Sequence, residues 1–144
     1  VSTIIDIADA VAAELASGEF SESFTPERRV LPDYELADLK DLHVTVVPRG
    51  VEISGASRAL CQHDFQIDVG VQKKLSAGAD IDTEVAELIG LVEEIAEFLQ
   101  RRRLADVPEA AWVKTANDPV YAPEHLAEKR LFTSVVTVTY RLLK

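Results

Sequence analysis

Between His63 and Leu75 the chain reads HDFQIDVGVQKKL, and its apolar and polar residues alternate. Phe65, Ile67, Val69 and Val71 share one parity, whereas Gln66, Asp68, Gly70 and Gln72 share the other. A period of two predicts a strand with one buried and one wet face, and the β-branched residues favour it. Gly70, on the wet face, marks a close backbone approach, a twist or a bulge. The C-terminal LFTSVVTVTYRLL has the same character: Val136, Val138, Tyr140 and Leu142 face one way, and Val135, Thr137, Thr139 and Arg141 the other. It is expected as the final strand.

Two stretches follow a helical period instead. Ile4, Ile7, Ala8, Val11 and Leu15 line one face of a helix expected from about Thr3 to Ser17. Ser2 or Thr3 is placed to cap it, with Asp6 closing a reciprocal cap, and Gly18 is its stop. The second helix is stronger. Val85, Leu88, Ile89, Val92, Ala96 and Leu99 form its stripe, widened by Ile95 and Phe98, with Glu84, Glu87, Glu94 and Glu97 opposite. Asp80 or Asp82 caps its start after the loop SAGAD, and Arg101, Arg102 and Arg103 close it against the helix dipole.

The remainder is less periodic. Pro26 and Pro32 bracket ERRVL, expected as a short edge strand, and Asp38, Lys40 and Asp41 lie in a polar turn. HVTVVP should be a strand ended by Pro48, with Arg49–Gly50 turning the chain into VEIS as a hairpin. Gly55 and Ser57 belong to a loop or to a bend in a long strand. AAWVKT is a short strand, and DPVYAPEHL a loop with one helical turn. The order of elements predicts one α/β (α+β) domain over residues 1–144: a mainly antiparallel sheet with two helices packed on one face.

Charge narrows the function classes. Acids outnumber bases 25 to 15, giving a net charge of -10. A nucleic-acid footprint needs a basic surface, so broad nucleic-acid binding is not expected; the negative charge suits dispersal in solution or a face that a passing polyanion does not stick to, and does not choose between them. The lone Cys61 excludes an intrachain disulfide. The first residues, with Asp6, Asp9 and Glu14, do not read as a secretory signal, and no apolar run reaches membrane-spanning length.

Candidate chemistry is sparse. His43, His63 and His125 show no metal-ligand spacing, and His63 and Asp64 should point to opposite faces of one strand. Cys61 has no base at usable spacing and is expected as a small core or interface residue. Gly50, Gly55, Gly70 and Gly78 make no phosphate loop. A small hydrolase or metal enzyme would have to be built from His43, His63 and Cys61, which the sequence leaves unorganised. No catalytic residue, metal or cofactor is expected. Trp112 is favoured as core and has a second role open to it as an interface anchor. An assembly protein is the better fit to a wet strand face and extended loops, because joined subunits satisfy sheet edges that a monomer leaves open. A cellular adaptor is a third class.

STIIDIADAVAAEL, DLHVTVVPRGVEISGASR, DFQIDVGVQKKL, LVEEIAEFLQRRRL, AAWVKT and LFTSVVTVTYRLL together cover most of the chain, and the whole string resembles the small tail-completion proteins of tailed bacteriophages and prophages. The likeness is distributed and carries no active-site signature. It implies a structural virion protein of the tail or neck, assembled in the bacterial host cytoplasm and not an enzyme. Such a tail terminator caps the head-proximal end of the tail tube, stops tube growth and presents a surface for the head. A head-closure or connector protein of the neck is the near alternative. The resemblance further implies a hexameric homo-oligomer with DNA passing through its lumen, and as partners the tail tube protein and a head-completion or connector protein. It transfers no ring contact residue by residue. Exposure, loop position or aromatic character nominates Arg28, Arg29, Arg49, Gln66, Asp68, Gln72, Trp112 and Tyr121 for the interface.

Overall fold

A computed structural model describes residues 2–30, 41–75 and 80–144 of the chain. Helix α1 spans Thr3–Ser17 and buries Ile7, Ala8, Ala10, Val11 and Leu15, the stripe its period demands. Ser2 stands at the N-cap, but its side chain makes no cap hydrogen bond, so the reciprocal cap with Asp6 does not form. The helix ends at Gly18, whose backbone is extended (φ -85°), so glycine is required there for space and not for a left-handed conformation. A Cβ there would lie 2.8 Å from ring atoms of both Phe20 and Phe98. Phe20 packs edge-on to Phe98 at 5.2 Å between ring centroids, so the chain leaving α1 is held against the second long helix.

Among the described residues five strands form one sheet: β1 (Pro26–Arg28), β2 (His43–Gly55), β3 (Cys61–Lys74), β4 (Ala111–Ala116) and β5 (Leu131–Leu143). Their order is β1-β2-β3-β5-β4. The short β1 runs parallel to β2, and every other pairing is antiparallel. The fold is therefore α+β, with an antiparallel sheet that carries one parallel edge strand. Of the expected ERRVL strand, Glu27 and Arg28 are in β1, and Leu31 and Pro32 lie outside the described residues, as do Asp38, Lys40 and most of SAGAD.

The expected hairpin at Arg49–Gly50 is not a turn. His43–Pro48 and Gly50–Gly55 both pair with β3, and Arg49 is the extra residue of a bulge between them. The bulge bends β2 without ending it, because one long strand, β3, serves as the partner for both halves. Pro48 does not stop the strand either: no described strand pairs with β2 beyond Val46, so no ladder donor is needed on that side. The chain reverses at residues 56–60. The amides of Ala56 and Ser57 donate to Leu60 O at 3.1 and 3.0 Å, and Ser57 Oγ accepts from the amides of Ala59 and Leu60.

Helix α2 spans Ile81–Leu99 and buries Leu88, Leu91, Val92, Ile95 and Leu99. Asp80 caps it by accepting from the Asp82 amide at 3.1 Å and from Thr83 Oγ1 at 2.9 Å. The arginine triplet falls beyond its last turn, which contains no basic residue. Arg101 takes φ 56°, so the chain leaves the helix axis there and the triplet does not extend it. A third helix, α3 (Pro123–Lys129), is longer than the single turn expected from DPVYAPEHL, and Pro starts its first turn.

The buried faces match the parity read from the sequence. Phe65, Ile67, Val69 and Val71 of β3, and Phe132, Val136, Val138 and Tyr140 of β5, join the stripes of α1 and α2 in one core. Glu14 locks the two helices. Its carboxylate accepts from Arg102 Nε and from the Ala105 amide, both at 2.9 Å, and the residue is only 8% exposed. Burial pushes the Glu14 carboxyl up, but the Ala105 and Arg102 hydrogen bonds and the guanidinium charge outweigh it and hold the carboxyl below its ordinary value. Arg102 also stacks 3.9 Å over the Phe98 ring, which joins this tie to the aromatic cluster beside Gly18.

Candidate assembly interface

The sheet has one face under the helices and a second, partly exposed face, here the open face, on which Thr45 and Thr139 are buried. On the open face a polar lattice crosses three strands. Thr137 Oγ1 donates to Asp68 Oδ1 at 2.8 Å, and Arg49 Nη1 reaches Thr137 Oγ1 at 3.2 Å and Asp68 Oδ1 at 3.5 Å. Farther along, Arg141 binds Asp64 through two nitrogens, at 2.8 and 3.1 Å. Those hydrogen bonds come first among the causes that hold Asp64 below its ordinary carboxylate value. Alternation alone places these side chains on one face, and pairing register makes them neighbours: Asp68 sits opposite Thr137, and Asp64 opposite Arg141.

The hairpin end of β2 and β3, here the arm, is exposed along β2, while β5 flanks β3 as far as Cys61. Every residue from Val51 to Cys61 is exposed, with Val51 at 47% and Ile53 at 61%. Register gives these two residues their direction. Val51 pairs with the buried Phe65, and Ile53 with His63, so both belong to the helix side of the sheet, yet on β2 they are left exposed. The apolar face thus continues into solvent. The outer edge of β2 is also open there: β1 takes up only Val44–Val46, the Arg29 amide donates to Val46 O at 2.9 Å, and no further strand among the described residues follows.

The nominated residues do not gather at one place. Arg49, Gln66, Asp68 and Gln72 share the open face, and Gln72 Oε1 is buried without a hydrogen-bond partner among the described residues. Arg28 and Arg29 lie apart from these, on and just after the edge strand β1, beside Val46 of β2. Arg28 Nε is 2.8 Å from Asp9 Oδ1 of α1, and Arg29 Nε is 3.5 Å from Glu27 Oε2. Trp112 is on the far edge strand β4, half-buried, with its indole N–H donating to Thr115 Oγ1 at 2.8 Å. Tyr121 is half-buried too, and its ring lies 6.3 Å from that of Phe132.

Sequence reasoning missed Val51, Ile53 and the edge they stand on. The signal was present in the alternation of VEISG, but a turn at Arg49–Gly50 would have folded that segment back on HVTVV instead of carrying it on along β3.

The three groups from which an enzyme would have to be built are not brought together. His43 pairs with Gln72 near one end of the β2–β3 ladder and His63 with Ile53 near the other. Ten residues of strand separate those levels, roughly 30 Å. His43 therefore cannot act together with His63 and Cys61. His63 stacks on Phe65 at 6.1 Å, His125 Nδ1 lies 3.1 Å from Thr133 Oγ1, and Cys61 is exposed rather than part of the core. Among the described residues no group of three or more His, Cys, Asp or Glu side chains is placed to hold a metal ion, and no helix is long and apolar enough to cross a membrane. No known family model and no curated protein matches the chain.

Proposed function

We propose that the chain is a structural tail-completion protein of a tailed bacteriophage, a tail terminator. Copies of it assemble, as a hexameric ring, on the head-proximal end of the tail tube, end tube growth and present the surface that the head joins. Its partners are further copies of itself, the tail tube protein and a head-completion protein. The observation that carries this reading is the exposed end of β2. Its open edge and the exposed Val51 and Ile53 form a surface suited to another polypeptide, not to a small substrate. The distributed sequence resemblance supplies the phage context. A net charge of -10 suits a lumen through which DNA slides without adhering.

Two measurements test the reading. Size-exclusion chromatography with light scattering is expected to show a discrete species near six times the 15.8 kDa chain, alone or on tube ends. Electron microscopy of tail tubes polymerised with the protein should show tubes of fixed length, each capped at one end. Tubes of unrestricted length with no bound cap would refute terminator activity. A cap found on the head portal instead would move the protein to the head-closure position.

A further inference from the structure

We propose that the open edge of β2 at Gly50–Glu52 pairs antiparallel with the outer edge of β4 at Ala111–Lys114 of a second copy of this chain. The inference rests on the ring reading only for closure; the pairing itself stands on register, strand sense and charge.

The sheet ends in two different edges, β2 beyond its short β1 partner on one side and β4 on the other. β2 and β5 run in one direction, β3 and β4 in the other. A neighbour in the same orientation therefore brings a β4 that is antiparallel to β2, the pairing that already dominates this sheet. The two edges also lie at the same level. Val51, Phe65, Tyr140 and Trp112 form one cross-strand row, and Gly50, Gln66, Thr139 and Lys114 form the next. A copy displaced sideways along these rows sets its Trp112 beside Val51 and its Lys114 beside Gly50.

Side chains complement each other on both faces of that junction. On the helix side, Val51 and Ile53 meet the half-buried Trp112 at the rim of a hollow of about 400 Å³ between α2 and β4, walled by Ala96, Gln100, Trp112 and Thr115. On the open side, Glu52 and Lys114 become diagonal neighbours of opposite charge, and both are exposed in the single chain. Pairing arm to arm would instead crowd two copies of Glu52. The contact is heterologous, one patch against a different patch, which is the kind that builds rings when the rotation closes.

The test is the mass of the wild-type chain and of E52R, K114E, E52R/K114E and I53K, by light scattering across concentration, with circular dichroism to confirm folding. Each single substitution is expected to weaken self-association at least about tenfold, and E52R/K114E to recover most of the loss. Folded single variants that assemble as tightly as wild type would overturn the edge pairing and leave the ring reading standing. A wild-type chain that is monomeric at every concentration would also overturn the pairing; capping of tail tubes would then judge the ring reading separately. An assembly that depends on Glu52 and Lys114 but grows without limit would support the pairing and refute the closed ring.

Discussion

Glu14 is the side chain whose removal has the most defined consequence. It sits on the last turns of α1, 8% exposed, and its two oxygens each accept one hydrogen bond at 2.9 Å, from Arg102 and from the Ala105 amide. Both donors follow α2, so the carboxylate joins the two long helices at the same end. In Glu14→Ala, the Ala105 amide loses its acceptor in a part-buried setting, and Arg102 loses its counter-charge but can turn toward water, its side chain being 37% exposed. A hydrogen bond to a charged group contributes about 1.5–3 kcal/mol, and the partial rehydration of Arg102 brings the expected total to about 2–3 kcal/mol. For a chain of this size that is a drop in Tm of roughly 4–12 °C. Glu14→Gln should cost less, because an amide oxygen can still accept one of the two bonds. The sign of the pH dependence follows from the lowered carboxyl value. The unfolded chain takes up the proton more readily, so this contribution is complete above the ordinary glutamate value, about 4.3, and is lost as pH falls through the lower folded value. Thermal unfolding followed by circular dichroism at pH 7 and along an acid series checks both statements. A Glu14→Ala chain within about 0.5 kcal/mol of wild type at pH 7, the ordinary range of a surface substitution, would refute the proposed tie.

Three further outcomes can be stated. Val69→Asp puts an unpaired charge at a position with 0% exposure in the middle of β3, and should lose about 4 kcal/mol or more in urea unfolding; an equally stable variant would mean that the buried face is wrongly assigned. Gly18→Ala forces a methyl group to 2.8 Å from the Phe20 and Phe98 rings, so about 1–3 kcal/mol should be lost, and Gly18→Ala in a Phe20→Leu background should cost less. Arg28→Glu breaks a partly exposed pair with Asp9 and should cost about 0.2–1 kcal/mol, recovered by the Asp9→Arg/Arg28→Glu exchange; a loss of assembly that the exchange does not recover would make Arg28 a subunit contact.

Much of this fold was legible because its strongest signals are local. The parity of Phe65 to Val71 and of Val136 to Leu142, and the stripes of α1 and α2, each fix a buried face without reference to the remainder of the chain. What failed was punctuation. Proline followed by Arg-Gly reads as a strand end and a turn, and only the length of β3 shows that Pro48 and Arg49 are a bulge in one continuous strand. Gly18 reads as a generic helix stop, yet what requires glycine is the approach of two rings from residues 20 and 98, a tertiary fact. The arginine triplet reads as a helix terminus, but Arg102 is drawn past it by a buried glutamate 88 positions away.

The open face and the arm illustrate a different limit. Nomination by exposure gathered arginines that the fold already occupies: Arg28 with Asp9, and Arg49 with Asp68 and Thr137. A charged side chain engaged within its own subunit must give up that partner before it can serve another, so exposed charge is weak guidance to an interface. An uncovered strand edge bearing Val51 and Ile53 gives up only water, and backbone donors and acceptors on an edge keep their pairing capacity whatever the side chains do. Edges, however, depend on which strands end where, and that is a property of the whole sheet. The order β1-β2-β3-β5-β4, with a three-residue β1 beside a thirteen-residue β2, leaves the β2 edge of the arm without a strand partner among the described residues. Its chemistry therefore becomes readable only after the register is known.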